Sequence, residues 1–243
     1  MKRICYHFLG FLAGCLVLYI AFITSFEAVC YWTPGYYQKE FEKYNVLSSM
    51  EYWTGDYMEM DNLTEVMHQT MKYLRGNRQN LIVETDINGT TQEFYNDSEK
   101  SHMADVRDLF VLNIFWRSVA GLTFLAIAGF LIFMLHGRGA LYFLGSGYIA
   151  ACIFALVLVV VIGIAAVIDF TKVFTIFHEI FFAKQGNWLF DPRESRMINM
   201  LPEGFFSDTI LRITEIFTGA LIAFLAAAIF MVRWTKKAAE RFC

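Results

Sequence analysis

Four long apolar stretches, separated by segments rich in polar residues, dominate the pattern along the chain. They cover roughly residues 8–30, 109–135, 141–168 and 205–232. Each is long enough to cross a hydrocarbon core of about 30 Å, which takes about 20 helical residues. The pattern therefore predicts a mainly α-helical integral membrane protein with four transmembrane helices.

The first polar segment, residues 31–108, has the signals of a small folded cap. In "DNLTEVMHQTMKYLRGN", Asn62 and Glu65 have the spacing of a capping box, and Gly76 follows a helix with one apolar face. "LIVETDINGTTQEFY" then predicts two strands joined through Asn88 and Gly89, a pair typical of hairpin turns. We expect a small α+β cap.

The end of this segment, "NDSEKSHMADVRDLF", predicts a helix that begins near residue 97 and runs unbroken into the second span. Asn96 and Glu99 have the spacing of another capping box. His102 and Asp105 are three residues apart and would share one face of that helix. His102 is expected at the outer membrane interface.

The second polar segment, residues 170–204, begins with "FTKVFTIFHEIFFA". This stretch is too short to span a membrane and has the length of a re-entrant or interfacial helix. Its apolar side chains recur at helical spacing and would face lipid or the helix bundle. They are Phe174, Phe177, Ile180 and Phe181. His178 lies beside this stripe at the expected level of His102, whereas the role of the adjacent Glu179 stays open.

Composition agrees with a membrane protein, since 57% of the 243 residues are hydrophobic and 18% are charged. The net charge of -3 gives no basic surface for nucleic acid. Basic residues flank the ends that would meet on one side, which places both termini, including the tail 233–243, in the cytoplasm. Residues 31–108 and 170–204 are then extracytoplasmic, and the protein belongs in the plasma membrane.

Five ionisable residues fall inside or at the edge of the spans, in the predicted outer half of the membrane. They are Glu27, Arg117, Asp208, Arg212 and Glu215. Such groups normally face the bundle interior or a wet cavity and pair with one another. One interpretation is a structural network, with Arg117 paired to Glu215 or Glu27, and the other is a site for a polar lipid headgroup. Both predict a polar pocket that opens outward.

Three chemistries are considered for His102 and His178. A zinc hydrolase would need three protein ligands, and "HEIFF" lacks the second histidine of HExxH. A serine or cysteine nucleophile would need an activating frame such as GxSxG, which the chain lacks. Histidine acid and base catalysis suits a substrate that carries its own nucleophile and electrophile. His68, within the cap helix, and His136, in the turn on the inner side, have no second histidine at their level, and His7 lies at the cytoplasmic end.

The residues also resemble a known family. "FYNDSEKSHMADVRDLF" and "FHEIFFAKQGNWLFDPRESRMINMLPEGFF", on a four-span chain with a large first outer segment, are similar to the bacterial lipoprotein intramolecular transacylases. The most specific parts are "HMADV", "FHEIFF" and the series Trp188, Asp191, Pro202 and Phe205. The resemblance covers the chain from the cap helix to the start of the fourth span.

The resemblance implies that a diacylated lipoprotein is the substrate. Its sn-2 acyl chain would move to its own N-terminal α-amino group, with His102 and His178 as the functional histidines. Ester to amide transfer is downhill, so neither a metal nor a cofactor is expected. Besides Arg117, we expect Asn187 and Arg193 as donors to the oxyanion, with Asp105, Trp188, Arg212 and Glu215 as binding or orienting residues. Membrane phospholipid is the other expected partner.

A non-enzymatic alternative comes from the topology alone. Four spans with a large first outer loop also occur in tetraspan interaction or assembly proteins, in which the two histidines would merely pack. The two hypotheses differ in the separation of the imidazoles. A distance of roughly 8 Å or less, with both imidazoles facing one lipid-accessible cavity, favours the enzyme. Histidines that point apart would favour the interaction protein.

Overall fold

The computed structural model describes residues 2–182 and 188–239. The chain is mostly helical, with one two-stranded sheet. The elements are α1 (Lys2–Trp32), α2 (Tyr36–Lys43), α3 (Val46–Thr54), α4 (Met60–Leu74), β1 (Glu84–Ile87), β2 (Thr90–Glu93), α5 (Asp97–Leu135), α6 (Arg138–Ile168), α7 (Phe170–Phe182), α8 (Arg196–Met200) and α9 (Glu203–Ala239).

The described residues divide into two compact units. The first comprises residues 2–26, 114–167 and 213–239, and the second comprises residues 27–113, 168–182 and 188–212. The long helices α1, α5, α6 and α9 are long and apolar enough to cross a membrane, and each predicted span falls within one of them. The prediction of four transmembrane helices is confirmed.

The first unit is held together by close helix packing. α1 and α6 approach each other at Gly10 and Gly147, where a β-carbon on either residue would collide with the backbone of the other helix. A buried apolar cluster beside this crossing includes Ala13 of α1, Leu131 of α5 and Phe143 of α6. Small residues at the crossing let the backbones touch, which is a common way to associate helices in lipid.

The second unit contains α2, α3, α4, α7, α8 and the hairpin, so its α+β composition is as predicted. Its fully buried side chains come from several of these elements. They are Phe41 of α2, Met50 of α3, Leu63 of α4, Ile87 of β1 and Phe94. The hairpin turns through Asn88 and Gly89, which both have positive φ, and Ile87 pairs with Thr90. These dihedral signs suit the tight turn that joins twisted strands.

The predicted start of α4 is wrong. The helix begins at Met60, with Glu59 in an extended conformation as its N-cap, so Asn62 lies inside the first turn. The backbone N–H of Leu63 donates to the Glu59 carbonyl at 3.1 Å, which closes the first turn three residues earlier than predicted. The capping signal was overridden because α4 buries one long apolar face, and packing of such a face outweighs a cap preference. Gly76, which has positive φ just beyond the helix, ends it as predicted.

The prediction that a helix begins near residue 97 and runs into the second span is confirmed, and the stretch that begins at Phe170 is helical as predicted. In α5 the backbone N–H of Asn96 donates to the Glu99 carboxylate at 2.8 Å, and that of Glu99 donates to the Asn96 side chain at 2.9 Å. α5 then continues without a break to Leu135. α7 begins after Asp169, whose side chain accepts from the backbone N–H of Lys172 at 2.9 Å. This acceptor satisfies one of the free donors at the helix start.

Candidate functional site

α5 and α7 bring His102 and His178 side by side within the second unit. The ring centroids are 6.1 Å apart, and the ring planes differ by 24°. Both residues are more than nine-tenths buried, at 7% and 9% exposure. The separation is below the roughly 8 Å that distinguishes the enzyme hypothesis from the non-enzymatic one, so both imidazoles can reach one substrate.

The main-chain contact of His178 decides which of its ring nitrogens carries hydrogen. Nδ1 lies 2.8 Å from the carbonyl oxygen of Phe174, one turn earlier in α7. A carbonyl only accepts, so the neutral imidazole donates from Nδ1 and keeps its lone pair on Nε2. Burial lowers the pKa of His178 from its ordinary value of 6.5, although the bond to the Phe174 carbonyl opposes this shift. The neutral, proton-accepting form is therefore favoured at pH 7.

Aromatic rings surround His178. Phe174 lies 4.2 Å from it and Trp188 5.1 Å from it, measured between ring centroids, with interplanar angles of 42° and 33°. Phe182, one turn later in α7, is 5.4 Å away. Trp188, one of the expected orienting residues, thus contacts His178. Phe174 was expected to face lipid or the helix bundle rather than His178, and Phe182 was not considered, although the helical spacing of both is visible in the sequence.

His102 packs against Phe182 and Phe190, with ring centroids 5.0 and 5.8 Å away. Its Nδ1 is buried and has no hydrogen-bond partner within the described part of the chain. A buried polar atom without a hydrogen bond costs stabilisation free energy, and a bound molecule that supplies a hydrogen-bond partner would recover it. Asp105, the predicted neighbour, is half-buried and close enough to interact electrostatically with His102.

A buried carboxylate lies one turn before His102. Glu99 is 1% exposed, and its Oε1 accepts from the Ser195 hydroxyl at 2.6 Å and from the backbone N–H of Met197 at 2.9 Å. The other oxygen, Oε2, accepts from the backbone of Asn96. The sequence predicted only the local contact with Asn96. Ser195 and Met197 are distant from Glu99 in the sequence, and no sequence pattern predicts that they bind it.

The charges at the start of α9 are paired with α2. Asp208 accepts from the Lys43 ammonium, and also from the Tyr44 hydroxyl at 2.7 Å. The Nε of Arg212 lies 3.8 Å from a carboxylate oxygen of the buried Glu40. Asp208 and Arg212 therefore belong to a network of ion pairs. Their partners Lys43 and Glu40 were not predicted, because nothing in the sequence shows that α2 and α9 are neighbours.

The remaining ionisable residues of the spans are divided between the two units. Arg117 and Glu215 belong to the first unit, where Arg117 is half-buried and Glu215 is exposed. Glu27 is buried, and its carboxylate lies 3.4 Å from Arg75, a partner that the sequence analysis did not consider. This pair joins the end of α1 to the end of α4.

Three further residues for which the sequence raised a possible role follow His178 in the chain. Glu179 and Arg193 are both exposed, and the backbone N–H of Arg193 donates to the Asp191 side chain in a local turn. Asn187 lies outside the described residues. Among the residues that the structure describes, no group of three or more His, Cys, Asp or Glu side chains is arranged to hold a metal ion.

Comparison with known proteins identifies the family. The family model described as the lipoprotein intramolecular transacylase Lit matches residues 11–206, which is most of the chain. The chain belongs to the Lit family. Its members are acyltransferases, so the resemblance noted in the sequence is confirmed, and the non-enzymatic tetraspan hypothesis gives way to an enzyme.

Two solved structures share the fold of this Lit-family chain. Both are the membrane-integral lipoprotein intramolecular transacylase Lit from Bacillus cereus, the second with a histidine replaced by alanine. The first has a TM-score of 0.72 at 18% identity and covers 98% of this chain and 100% of its own. The second has a TM-score of 0.71 at 18% identity and covers 97% of each chain. No curated protein matches the chain.

Proposed function

We propose that the protein moves the sn-2 acyl chain of a diacylglyceryl-cysteine lipoprotein to the α-amino group of the same cysteine. The amine nitrogen forms a bond to the ester carbonyl carbon, and the bond from that carbon to the glycerol oxygen breaks. One proton leaves the amine and one reaches the glycerol oxygen, so the reaction balances without a co-reactant. The product is an N-acylated lyso-form lipoprotein.

The observation that carries the proposal is the pair of buried imidazoles, 6.1 Å apart on α5 and α7. The α-amine has an ordinary pKa of about 7.7 to 8.0 and must lose a proton when it attacks the ester. The departing glycerol oxygen must gain one. Two histidines at this separation supply one group for each transfer.

The tautomer of His178 supports its assignment as the general base. Because its Nδ1 donates to the Phe174 carbonyl, its Nε2 holds the lone pair that accepts the amine proton. His102 then donates to the glycerol oxygen the proton that His178 has taken from the amine and passed on, so that neither imidazole has to begin as a cation. In this role, the Nδ1 that has no partner among the described residues gains one from the substrate.

Positioning supplies much of the rate in this proposal, since the nucleophile and the ester belong to one molecule. Well-oriented intramolecular reactions reach effective molarities on the order of 10⁵ M or more. The carbonyl oxygen becomes negative in the transition state and needs hydrogen-bond donors. Asn187, Arg193 and Arg117 are proposed as donors. Trp188 and Asp105 are proposed to orient the reacting groups.

Arg212 and Glu215 are proposed to orient the lipid headgroup. Support for Arg212 comes from its side chain, which is 48% exposed although it lies near Glu40. A phospholipid or lipoprotein headgroup can therefore reach the guanidinium. The site is proposed to open on the extracytoplasmic side of the plasma membrane, with both termini in the cytoplasm, as the flanking basic residues indicate.

Mass spectrometry of a lipoprotein N-terminus tests the proposed function directly. The chain is expressed in a bacterium that otherwise makes diacylated lipoproteins, and the peptide is examined for the lyso form. His102→Ala and His178→Ala are each expected to reduce the lyso product at least 100-fold, an estimate from the usual contribution of acid or base catalysis. His68→Ala is the control, because His68 lies on an exposed surface of α4.

Lyso-form product from both histidine variants at the wild-type level would refute the catalytic roles. Absence of the product from the wild-type chain, with diacylated substrate present, would refute the reaction itself. Immunoblots of the membrane fraction establish that each variant is present in equal amount.

A further inference from the structure

The buried carboxylate of Glu99 is the strongest feature of the second unit that the proposed reaction leaves without a role. A carboxylate that is 1% exposed is costly unless hydrogen bonds replace its water. Three donors do so here, namely the Asn96 backbone, the Ser195 hydroxyl and the Met197 backbone. Hydrogen bonds to an ionised acceptor are roughly twice as strong as neutral ones, so the contact is specific and firm.

Glu99 joins two parts of the chain that both contact the histidines. It is three residues before His102, on about the same face of α5. Its distant partners follow the stretch that supplies Trp188, whose ring contacts His178, and Phe190, whose ring contacts His102. The bonds at Glu99 therefore fix the start of α5 against the segment whose aromatic rings pack on the imidazoles.

Neighbouring contacts reinforce this attachment. The Asn96 side chain donates to the Glu194 carbonyl at 3.3 Å, beside the Ser195 contact. The Asn199 side chain donates to the carbonyls of Pro192 and Ser195 at 2.7 and 2.8 Å, which closes the 192–199 stretch on itself. The turn before α8 and the start of α8 are thus tied together, and Glu99 bonds both the Ser195 hydroxyl and the Met197 backbone within them.

We propose that Glu99 is a positioning residue, which sets the placement of His102 relative to His178 by fastening the 195–197 segment to the start of α5. The inference rests on the proposed function, because it assigns Glu99 a part in the same reaction. Glu99 acts through His102 and the aromatic rings rather than through the substrate. A displacement of about 1 Å in such a site can cost about 100-fold in rate.

The test uses the full-length chain in detergent with a synthetic diacylated lipopeptide. Glu99→Gln keeps the size of the side chain but removes its charge and one acceptor oxygen. It is expected to lower kcat about 100-fold while KM changes less than about threefold, since substrate contacts remain. Ser195→Ala removes one of the three donors and is expected to lower kcat about tenfold. Glu84→Gln, at an exposed position of β1, is the matched control.

A double-mutant cycle and a spectroscopic measurement distinguish positioning from simple loss of fold. If Glu99 acts through Ser195, the combined variant is no slower than Glu99→Gln alone. The imidazole signals of His102 and His178, read by NMR on histidine-labelled protein, are expected to move toward free-histidine values in Glu99→Gln, because ring stacking is lost. A purely structural role would lower the folded fraction and leave the signals of the folded molecules unchanged.

Glu99→Gln with kcat within twofold of wild type, or with unchanged imidazole signals in the folded molecules, would overturn the inference. Full activity of His102→Ala and His178→Ala would instead overturn the proposed function, and the positioning role with it. If the histidine variants are inactive and Glu99→Gln is active, only the role of Glu99 fails.

Discussion

At the scale of single residues, the main-chain bond of His178 has a measurable consequence. Burial lowers the pKa of His178 below 6.5, so the lone pair needed for proton acceptance is present at lower pH than in a free histidine. If His178 is the base, kcat/KM is expected to fall on the acidic side in two steps, one at about 7.7 to 8.0 from the substrate α-amine and one below 6.5 from His178. A pH profile of the purified enzyme, with the amine titrated separately in the free lipopeptide, measures this. An enzyme ionisation at or above 6.5, once the amine step is assigned, would contradict the assignment.

Asp56 illustrates how an ion pair at a single residue stabilises the second unit. Burial alone would raise the pKa of Asp56, but the Arg196 guanidinium, bonded to it at 2.7 Å, lowers the pKa from 3.8. The stabilisation is therefore present above pH 3.8 and is lost as pH falls through the lower, folded value. Asp56→Asn is expected to reduce stability by about 1 to 3 kcal/mol at neutral pH.

Thermal unfolding in detergent at pH 7 tests this prediction, with Asp86→Asn at an exposed position of β1 as the control. Equal melting temperatures for the two variants would show that the bond with Arg196 contributes nothing measurable.

At the scale of secondary-structure elements, the sequence predicted what depends on neighbours in the chain. The hairpin at Asn88 and the capping box at Asn96 are local, so their residue types were sufficient. The short helices α2, α3 and α8 were not predicted. α8 has only five residues, and the amphipathic pattern of such short helices is too brief to read.

Contacts between distant elements could not be predicted from the sequence, for a different reason. The pairing of Asp208 with Lys43 and of Glu27 with Arg75 depends on which helices become neighbours, and charge patterns within one helix do not carry that information. The two histidines were found because the pattern places both at the outer level of the membrane, near Asp105 and Glu179, and because the family resemblance singles them out. Their aromatic neighbour Phe190 became apparent only from the fold.

The crossing of α1 and α6 gives a prediction at this scale. Gly147→Ala places a methyl group against the Gly10 backbone, which cannot move aside easily, so we expect a loss of about 1 to 3 kcal/mol or more. Gly163→Ala, also in α6, has nothing within 4 Å of the added carbon and is expected to be neutral or slightly stabilising. Melting temperatures in detergent compare the two. A smaller effect at Gly147 than at Gly163 would mean that the helices do not touch there.

At the scale of the whole molecule, orientation in the membrane is the property to test. The basic residues at both ends predict cytoplasmic termini, and the hairpin would then face outward. In a cysteine-free background, Thr91→Cys is expected to react with a membrane-impermeant maleimide in intact cells. Lys236→Cys is expected to react only after the membrane is opened. The reverse pattern would place the histidines on the cytoplasmic side and contradict the proposed location.

The hydrogen bonds of Glu99 also determine when, during synthesis of the chain, the two histidines can reach their final positions. Ser195 and Met197 are synthesised 96 and 98 residues after Glu99. While the ribosome is still making the intervening chain, the carboxylate has only its local partner and must remain hydrated. The two imidazoles therefore reach their final placement late in biogenesis, once α7 and the loop after it have emerged. A nascent chain arrested before residue 195 would contain both histidines but would lack the Ser195 and Met197 donors that bind Glu99.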